Sequence, residues 1–321
     1  MANISKKTRQ LSPVFMGNLQ SGLFRPLVDL VKSDTTLCLQ IRSNYINIYY
    51  RGGNLIRISE QGSAYIPSFD EKYFAGRPVK IPAPRILQSP ADVDAWIEGV
   101  PYLKQAMDLW FGQNSKDERE FQQLVWRENN GASIGNATDY FITDIEYDNH
   151  NGARFDMAAL RWDSRGPCRK DPGKFKPILT LVEMKYGDGA LAGNAGIVKH
   201  IEDMLRYVRK EGFAGIKQEM LGSFAQQREL GLIPALSHNR NSVETLDDQV
   251  DYLFILANHD PDSDKLQMVL DEVEERFGSE DLGLTIKFCV SNFMGYGIYR
   301  DNVYSLKEFR ERFGRQIACR S

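Results

Sequence analysis

The segment ILTLVEMKYG, residues 178–187, combines a β-strand pattern with two charged side chains. Leu179, Leu181, Glu183 and Lys185 share one strand face by the period-two rule. Both faces begin apolar, which is typical of a central strand that is covered on both sides. Burying a carboxylate and an ammonium there is unfavourable unless the two are paired or bind a ligand. The pattern therefore predicts a buried strand that ends in a structural ion pair or in a functional site.

The N-terminal part of the chain has the pattern of short strands. Residues 36–60 contain two or three β-branched and aromatic runs, with a glycine turn at residues 52–53. The Pro-rich segment 80–90 is typical of a linker. We therefore predict a β-rich N-terminal region with a hairpin over residues 1–85, followed by an α/β domain over residues 86–321.

The pattern of the second region alternates between helical and strand periods. One helix begins at Ser89 and is interrupted at Pro101, and a second runs from Ser115 to Gly131. Three strands and an amphipathic helix follow, and then a helical insertion at residues 213–248. A strand, a helix and a last strand or hairpin complete the order. This order predicts an α/β fold with a mixed central sheet flanked by helices.

Composition narrows the class of protein without indicating a function. The 321 residues are 42% hydrophobic, enough for a substantial core in one large domain or two modest ones. We find no apolar run that could cross a bilayer and no N-terminal export signal. The four cysteines are scattered, with neither zinc nor disulfide spacing, so we expect a cytoplasmic location. The net charge of -3 means that nucleic-acid binding would need a local basic surface.

Three side chains match the requirements of phosphodiester hydrolysis. That reaction needs a hard cation and an activated water, and Mg²⁺ is held by one or two carboxylates and by water. A nearby lysine orients the nucleophile and stabilises developing charge. Asp156, in the preceding strand, would supply one carboxylate, with Glu183 and Lys185 supplying the rest. If the two carboxylates converge, each should raise the pKa of the other when no cation is bound.

These residues resemble the PD-(D/E)xK nuclease superfamily, also called restriction-endonuclease-like. The resemblance rests on Phe155-Asp156, on Glu183-x-Lys185 and on the helix, three strands and helix around them, over residues 115–211. Phe155 stands where the motif name has proline.

The resemblance implies a fold, an activity and a set of roles. The fold would contain a restriction-endonuclease-like core, and the activity would be that of a Mg²⁺-dependent phosphodiesterase, a deoxyribonuclease acting as an endonuclease. Asp156, Glu183 and the main-chain carbonyl of Met184 would hold Mg²⁺, with Mn²⁺ as a substitute. Lys185 would orient the attacking water. DNA is the expected partner and RNA the alternative, and a homodimer is left open beside a monomer.

A third acidic residue is expected on the helix before the hairpin. The string ERExxxLV resembles the helix of archaeal Holliday-junction resolvases, in which the first glutamate is functional, and this points to Glu118. Helical geometry agrees, because Glu118 falls within roughly 60° of Phe121, on the side of the buried Val125. Glu120 falls toward solvent, and Glu128 lies on the buried face near the helix end. We therefore expect Glu118 to act at the site, in preference to Glu128 and then Glu120.

Basic side chains near the predicted site are candidate phosphate contacts. Arg169 and Lys170 lie in a basic loop, residues 161–176, which leads into the strand of Glu183. His200 lies on the helix after that strand. A solvated loop, and a packed or surface histidine, are the alternatives. Asp144 and Glu146 also share a strand face, but no lysine follows and the strand looks half exposed, so we assign them no catalytic role.

Two other classes of function remain open. One is a non-catalytic nucleic-acid-binding protein on the same fold. The other is a small-molecule-sensing α/β domain, in which Glu183 and Lys185 form a structural ion pair. DNA affinity without cleavage in Mg²⁺ or Mn²⁺ would favour the binding protein. In the sensing domain, Glu183→Gln would lower stability rather than a metal-linked activity.

Overall fold

The structure is a computed structural model of a mixed α/β protein with two sheets. The described residues are 9–77, 80–131, 138–148, 154–236, 239, 241–259, 264–278, 282–291, 298 and 300–314. Among these residues, no helix is long and apolar enough to cross a membrane.

The N-terminal part is an antiparallel meander packed against helices. Its elements are α1 (Pro13–Gln20), α2 (Arg25–Ser33), β1 (Leu37–Arg42), β2 (Tyr45–Tyr50), β3 (Gly53–Gln61) and β4 (Ala64–Ser68), with the strands in sequence order. The predicted glycine turn lies one residue earlier than expected, at Arg51 and Gly52, which both have positive φ. A Cβ at Gly52 would lie 2.4 Å from the main chain of Arg119, so this position also requires glycine for close packing.

The third helix, α3 (Pro90–Phe111), belongs to the N-terminal core. It begins with a capping box between Ser89 and Asp92 and continues through Pro101, so the predicted interruption is wrong. The apolar stripe of α3 is buried on both sides of the proline, and this packing outweighs one missing main-chain hydrogen bond. The Pro-rich segment therefore connects two parts of one hydrophobic core, and the division of the chain at residue 85 stays a prediction.

The second sheet has six strands in the order β10-β9-β8-β7-β6-β5. Its elements are α4 (Asp117–Asn130), β5 (Tyr140–Asp148), β6 (Arg154–Arg161), α5 (Gly166–Lys170), β7 (Ile178–Tyr186), α6 (Ile197–Glu211), α7 (Ala214–Glu229), β8 (Val250–Ala257), α8 (Lys265–Phe277), β9 (Thr285–Ser291), β10 (Tyr304–Ser305) and α9 (Leu306–Phe313). Strands β7, β8 and β9 are parallel, and the other pairs are antiparallel. The order predicted from the sequence is confirmed apart from α5, in the predicted basic loop, and α9, which the sequence patterns did not predict. The predicted hairpin turn at residues 150–153, between the strands now seen as β5 and β6, lies outside the described residues.

Helices cover the second sheet on both faces. Leu181 and Phe254 pack with α6, α7 and α8 on one face, and Val182 packs with Val125 of α4 on the other. The predicted helical insertion contains α7, which lies on the sheet, where the rings of Phe224 and Phe141 are 6.1 Å apart. The insertion is thus part of a covering layer. Strand β7 is the buried central strand that its pattern predicts.

Candidate active site

Asp156 and Glu183 face each other where β6 and β7 separate. The two strands pair from Arg161 and Ile178 to Met157 and Val182, and Asp156 is the next residue after the last pair. Its Oδ2 accepts a hydrogen bond of 2.8 Å from the main-chain N–H of Met184. The Asp156 carboxylate, rather than a main-chain carbonyl, takes this donor, which turns the side chain toward β7.

The two carboxyl groups are close enough to interact electrostatically. Burial, and then the negative charge of Glu183, raise the pKa of Asp156 to about 8. Burial raises the pKa of Glu183 to about 7, although the ammonium of Lys185 opposes this rise. Glu183 raises the pKa of Asp156 as predicted, whereas Asp156 lowers that of Glu183, so the predicted mutual rise holds for Asp156 alone. Two such groups must share a proton or gain a cation before both can lie buried at neutral pH.

One oxygen of Glu183 is buried without a hydrogen-bond donor. The residue is 2% exposed, and its Oε1 accepts no hydrogen bond; the nearest basic nitrogen is Nδ1 of His200, at 3.5 Å. A buried carboxylate oxygen without a donor is unfavourable. Carboxylate oxygens are also the ligands that Mg²⁺ and Mn²⁺ prefer. The pair formed by Glu183 and Asp156 therefore fits a hard divalent cation.

Among the described residues, the carboxylate pair is not part of a group of three or more His, Cys, Asp or Glu side chains arranged to hold a metal ion. A cation would therefore depend on two carboxylates, the main chain and water, which is typical of Mg²⁺. The side chain of Met184 is buried on the other sheet face, and the use of its carbonyl as a third ligand stays a prediction.

Lys185 and His200 complete this sheet face around Glu183. The Nζ atom of Lys185 lies 4.0 Å from Oε2 of Glu183, and the lysine side chain is 5% exposed. His200 lies in the first turn of α6, and burial followed by the charge of Lys185 lowers its pKa. A neutral His200 beside Glu183 is suited to hydrogen bonding more than to charge neutralisation. Its predicted contact with nucleic acid stays a prediction.

Glu118 reaches the same site from α4. Burial, and then the charge of Asp156, raise the pKa of its carboxyl, and the charge of Lys185 opposes this rise. The other two candidates point elsewhere, because Glu120 pairs with Arg51 and Glu128 pairs with its neighbour in the chain. The predicted helix register is therefore confirmed, and Glu118 is the glutamate of α4 that lies at the site.

Tyr252 is a site residue that the sequence analysis missed. It is buried on β8, pairs in register with Leu181, and places its hydroxyl against the Glu183 carboxylate and 3.5 Å from the carbonyl oxygen of His200. The available signal was the period-two spacing, which puts Tyr252 on the same strand face as Phe254. This spacing identified no neighbour on β7, because the register between β7 and β8 was not known.

The basic loop lies at the opposite end of the β6–β7 pair. Five residues separate Ile178 from Glu183, which is roughly 16 Å along a strand. The Arg169 guanidinium donates four hydrogen bonds to main-chain carbonyl oxygens, those of Thr138, Trp162 and Asp163. Burial lowers the pKa of Arg169 to about 10. These hydrogen bonds favour a structural role for Arg169, whose Nε and Nη2 donors hold the loop together, and its phosphate contact stays a prediction. Lys170 is exposed, and its contact stays a prediction.

The second acidic pair is structural. Asp144 is fully buried, with Oδ2 lying 2.5 Å from Nη1 of Arg9 and with Oδ1 paired to Arg42. Glu146 pairs with Arg119 at 2.9 Å. The expectation of a half-exposed strand is wrong, because the N-terminal segment and the first sheet cover β5. The absence of a catalytic role agrees with this arrangement.

Comparisons of the chain with family models, with curated proteins and with solved structures found no match. The geometry around Asp156 and Glu183 is therefore the basis for inferring a function.

Proposed function

We propose that this protein is a metal-dependent nuclease, with DNA as the expected substrate and endonucleolytic cleavage as the expected mode. The observation that carries the proposal is the buried pair of Asp156 and Glu183, on adjacent strands, with too little positive charge around it. The order α4, β5, β6, β7, α6 and β8 supports a restriction-endonuclease-like core around this pair.

The proposed mechanism assigns the cation to oxygen ligands. Asp156, Glu183 and the Met184 carbonyl would hold Mg²⁺ or Mn²⁺, which supplies Lewis-acid stabilisation of the phosphate and a more acidic water. Tyr252, buried on β8 beside Glu183, would help to hold the carboxylate in place. The hydrogen bond from the Met184 N–H orients Asp156 in the same way.

Lys185 and Glu118 supply the remaining functions of the proposed mechanism. The ammonium of Lys185, held on a buried stem beside Glu183, orients the attacking water and stabilises charge on the phosphate oxygens. The Glu118 carboxyl, with a raised pKa, is suited to accept a hydrogen bond or a proton from water near neutral pH. Lys185 lies on β7 and Glu118 lies on α4, so the two groups can contact one water from two sides.

The test is a cleavage assay on the full chain. Supercoiled plasmid, linear duplex, single-stranded DNA and RNA would be incubated with Mg²⁺, Mn²⁺ or EDTA, using the wild type and Glu183→Gln. Glu120→Gln is the matched control, because it removes the same charge on α4 outside the site. We expect metal-dependent cleavage of DNA that EDTA and Glu183→Gln abolish and that Glu120→Gln retains.

Other outcomes of this assay would identify the alternative classes. DNA binding without cleavage in either metal would favour a non-catalytic nucleic-acid-binding protein. No nucleic-acid binding, together with a loss of stability in Glu183→Gln, would favour a structural pair in a small-molecule-sensing domain.

A further inference from the structure

A second polar pair lies at the same edge of the sheet as Lys185. Strands β7 and β8 are parallel, so their carboxyl ends meet here, and the Gly187 N–H donates to the Ala257 carbonyl at 2.8 Å. Asp188 follows directly, and His259 comes two residues after Ala257. The His259 Nδ1 lies 2.9 Å from Asp188 Oδ1, which joins the loops that leave β7 and β8.

The arrangement of this pair leaves one ring nitrogen for a further partner. The side chains of Asp188 and His259 are only 12% and 10% exposed, so the ring is held in place rather than free in solvent. A carboxylate on Nδ1 fixes the orientation of an imidazole and directs its chemistry to Nε2. Nε2 has no hydrogen-bond partner among the described residues. The pair therefore presents one polar atom, Nε2 of His259, in a fixed orientation.

The position of the pair is where an α/β sheet binds its ligands. In such sheets, ligands lie outside the carboxyl ends of parallel strands. Asp188 follows Glu183 by five residues, which span at most about 17 Å. Phosphates repeat about every 3.4 Å along one strand of a nucleic-acid duplex. A strand with its scissile phosphate at Glu183 would therefore bring a neighbouring phosphate within range of His259.

The loop that carries Asp188 has free space beside its main chain at Gly189. Gly189 does not have a positive φ, and a Cβ built there meets nothing within 4 Å. Neither backbone conformation nor packing within the described residues therefore requires glycine at this position. Because neither conformation nor packing requires glycine here, the missing side chain can instead allow a ligand to approach the main-chain amides closely. The loop leads to α6, whose N-cap, Gly196, supplies no side-chain hydrogen bond.

We infer that Asp188 and His259 form a phosphate-positioning site for a nucleic-acid strand that extends from the proposed active site. The inference rests on the proposed function and extends it to the phosphates next to the scissile one. In the bound state the imidazole carries both ring protons, donating Nδ1–H to Asp188 and Nε2–H to a non-bridging phosphate oxygen. The second proton comes from solvent.

The direct test is a spectrum of the histidine rings in the full chain. The protein has four histidines, so the loss of one signal set in His259→Gln assigns the His259 ring nitrogens. A short DNA duplex would be added in EDTA. We expect both His259 nitrogens to move toward imidazolium positions on binding, and not to move in Asp188→Asn. Unchanged His259 signals at saturating DNA would overturn the inference.

A kinetic test separates substrate positioning from structural support. We expect His259→Gln to raise KM or the DNA dissociation constant by about tenfold, the loss expected for one charge-assisted hydrogen bond, with kcat changed much less. Gly189→Ala should weaken binding as well, whereas Gly166→Ala, which also meets open space, is its matched control. Thermal unfolding of each variant would show whether it folds. Normal KM and affinity in a folded His259→Gln would overturn the inference.

The two proposals fail in different ways. If the wild type cleaves nothing but its His259 signals respond to DNA, the nuclease proposal fails and the phosphate site stands. If the wild type cleaves DNA and His259→Gln is unaffected, only the phosphate site fails.

Discussion

Two buried carboxylates in the second sheet, Asp144 on β5 and Glu183 on β7, have opposite electrostatic surroundings. Each oxygen of Asp144 is paired with a guanidinium, one from Arg9 and one from Arg42. Glu183 faces the carboxyl of Asp156, and the nearest ammonium, that of Lys185, is 4.0 Å away. Both acids are on β-strands and nearly inaccessible, so burial alone does not distinguish them.

The difference separates a structural charge from one available for chemistry. Asp144 is held by two cations from the N-terminal segment and the first sheet, so it ties these parts to β5. Glu183 has too little positive charge around it to balance the carboxylates, so a bound cation would stabilise the site. A buried acid with few compensating partners is a candidate functional residue, and a fully paired one is a candidate structural residue.

The largest expected effect is the loss of cleavage in the carboxylate and lysine variants. Asp156→Ala, Glu183→Ala and Lys185→Ala should each lower kcat/KM by about 10³-fold or more, because each removes a group that acts in the transition state. The double variants should lose little more than the single ones. Kinetics with a plasmid substrate would measure this, with circular dichroism as the control for folding. A well-folded single variant that cleaves normally would exclude that residue from the mechanism.

The second prediction contrasts stability at the two acids. Asp144→Asn should lower the free energy of unfolding by about 3–5 kcal/mol, because it leaves two buried guanidinium groups without their counter-charge. Glu183→Gln should leave this free energy unchanged or raise it in metal-free protein near neutral pH, since it removes a poorly compensated charge. Urea unfolding in EDTA would compare them. A larger loss for Glu183→Gln would make Glu183 the structural residue.

The third prediction concerns pH and metal. Folded Asp156 and Glu183 keep their protons to pH values of about 8 and about 7, whereas the unfolded chain releases them near pH 4. Between these limits the folded state binds more protons, so the free energy of unfolding should fall as pH rises. If Mg²⁺ binds the ionised pair as proposed, it should offset this fall. Urea unfolding across pH with Mg²⁺ or EDTA would measure both effects.

The double variant Asp156→Asn/Glu183→Gln is the control for the pH dependence. It should remove the fall in stability between about pH 4 and 8 and the response to Mg²⁺ together. An unchanged pH profile in this variant would assign the dependence to other groups.

The smallest expected effect distinguishes the two glutamates of α4. Glu118→Gln should lower the rate of Mg²⁺-dependent cleavage by about 10–100-fold, as expected for a group that supports the metal site. Glu120→Gln should retain nearly full activity, because its partner is Arg51. Single-turnover rates at saturating Mg²⁺ would measure the difference. Loss of activity at Glu120 with normal activity at Glu118 would reverse the assignment.

Local periodicity was sufficient for the features that depend on one element at a time. The alternation along β7 predicted a buried central strand with Glu183 and Lys185 on one face, and the structure confirms this. The helical spacing of α4 predicted that Glu118, rather than Glu120, lies toward the sheet. The order of helices and strands from residue 115 followed from the same patterns. Such features are local because the side-chain period is set by backbone geometry alone.

Only the tertiary structure decided which polar groups have partners. Asp144 looked half exposed because Arg42, which neutralises it, is 102 residues away in the chain. Arg169 looked free because its acceptors are main-chain carbonyls, which no side-chain pattern shows. Asp188 and His259 are 71 residues apart and meet only because β7 and β8 pair in parallel. Whether a charge is structural or functional depends on compensation across such distances, and the period of a single strand or helix contains no information about it.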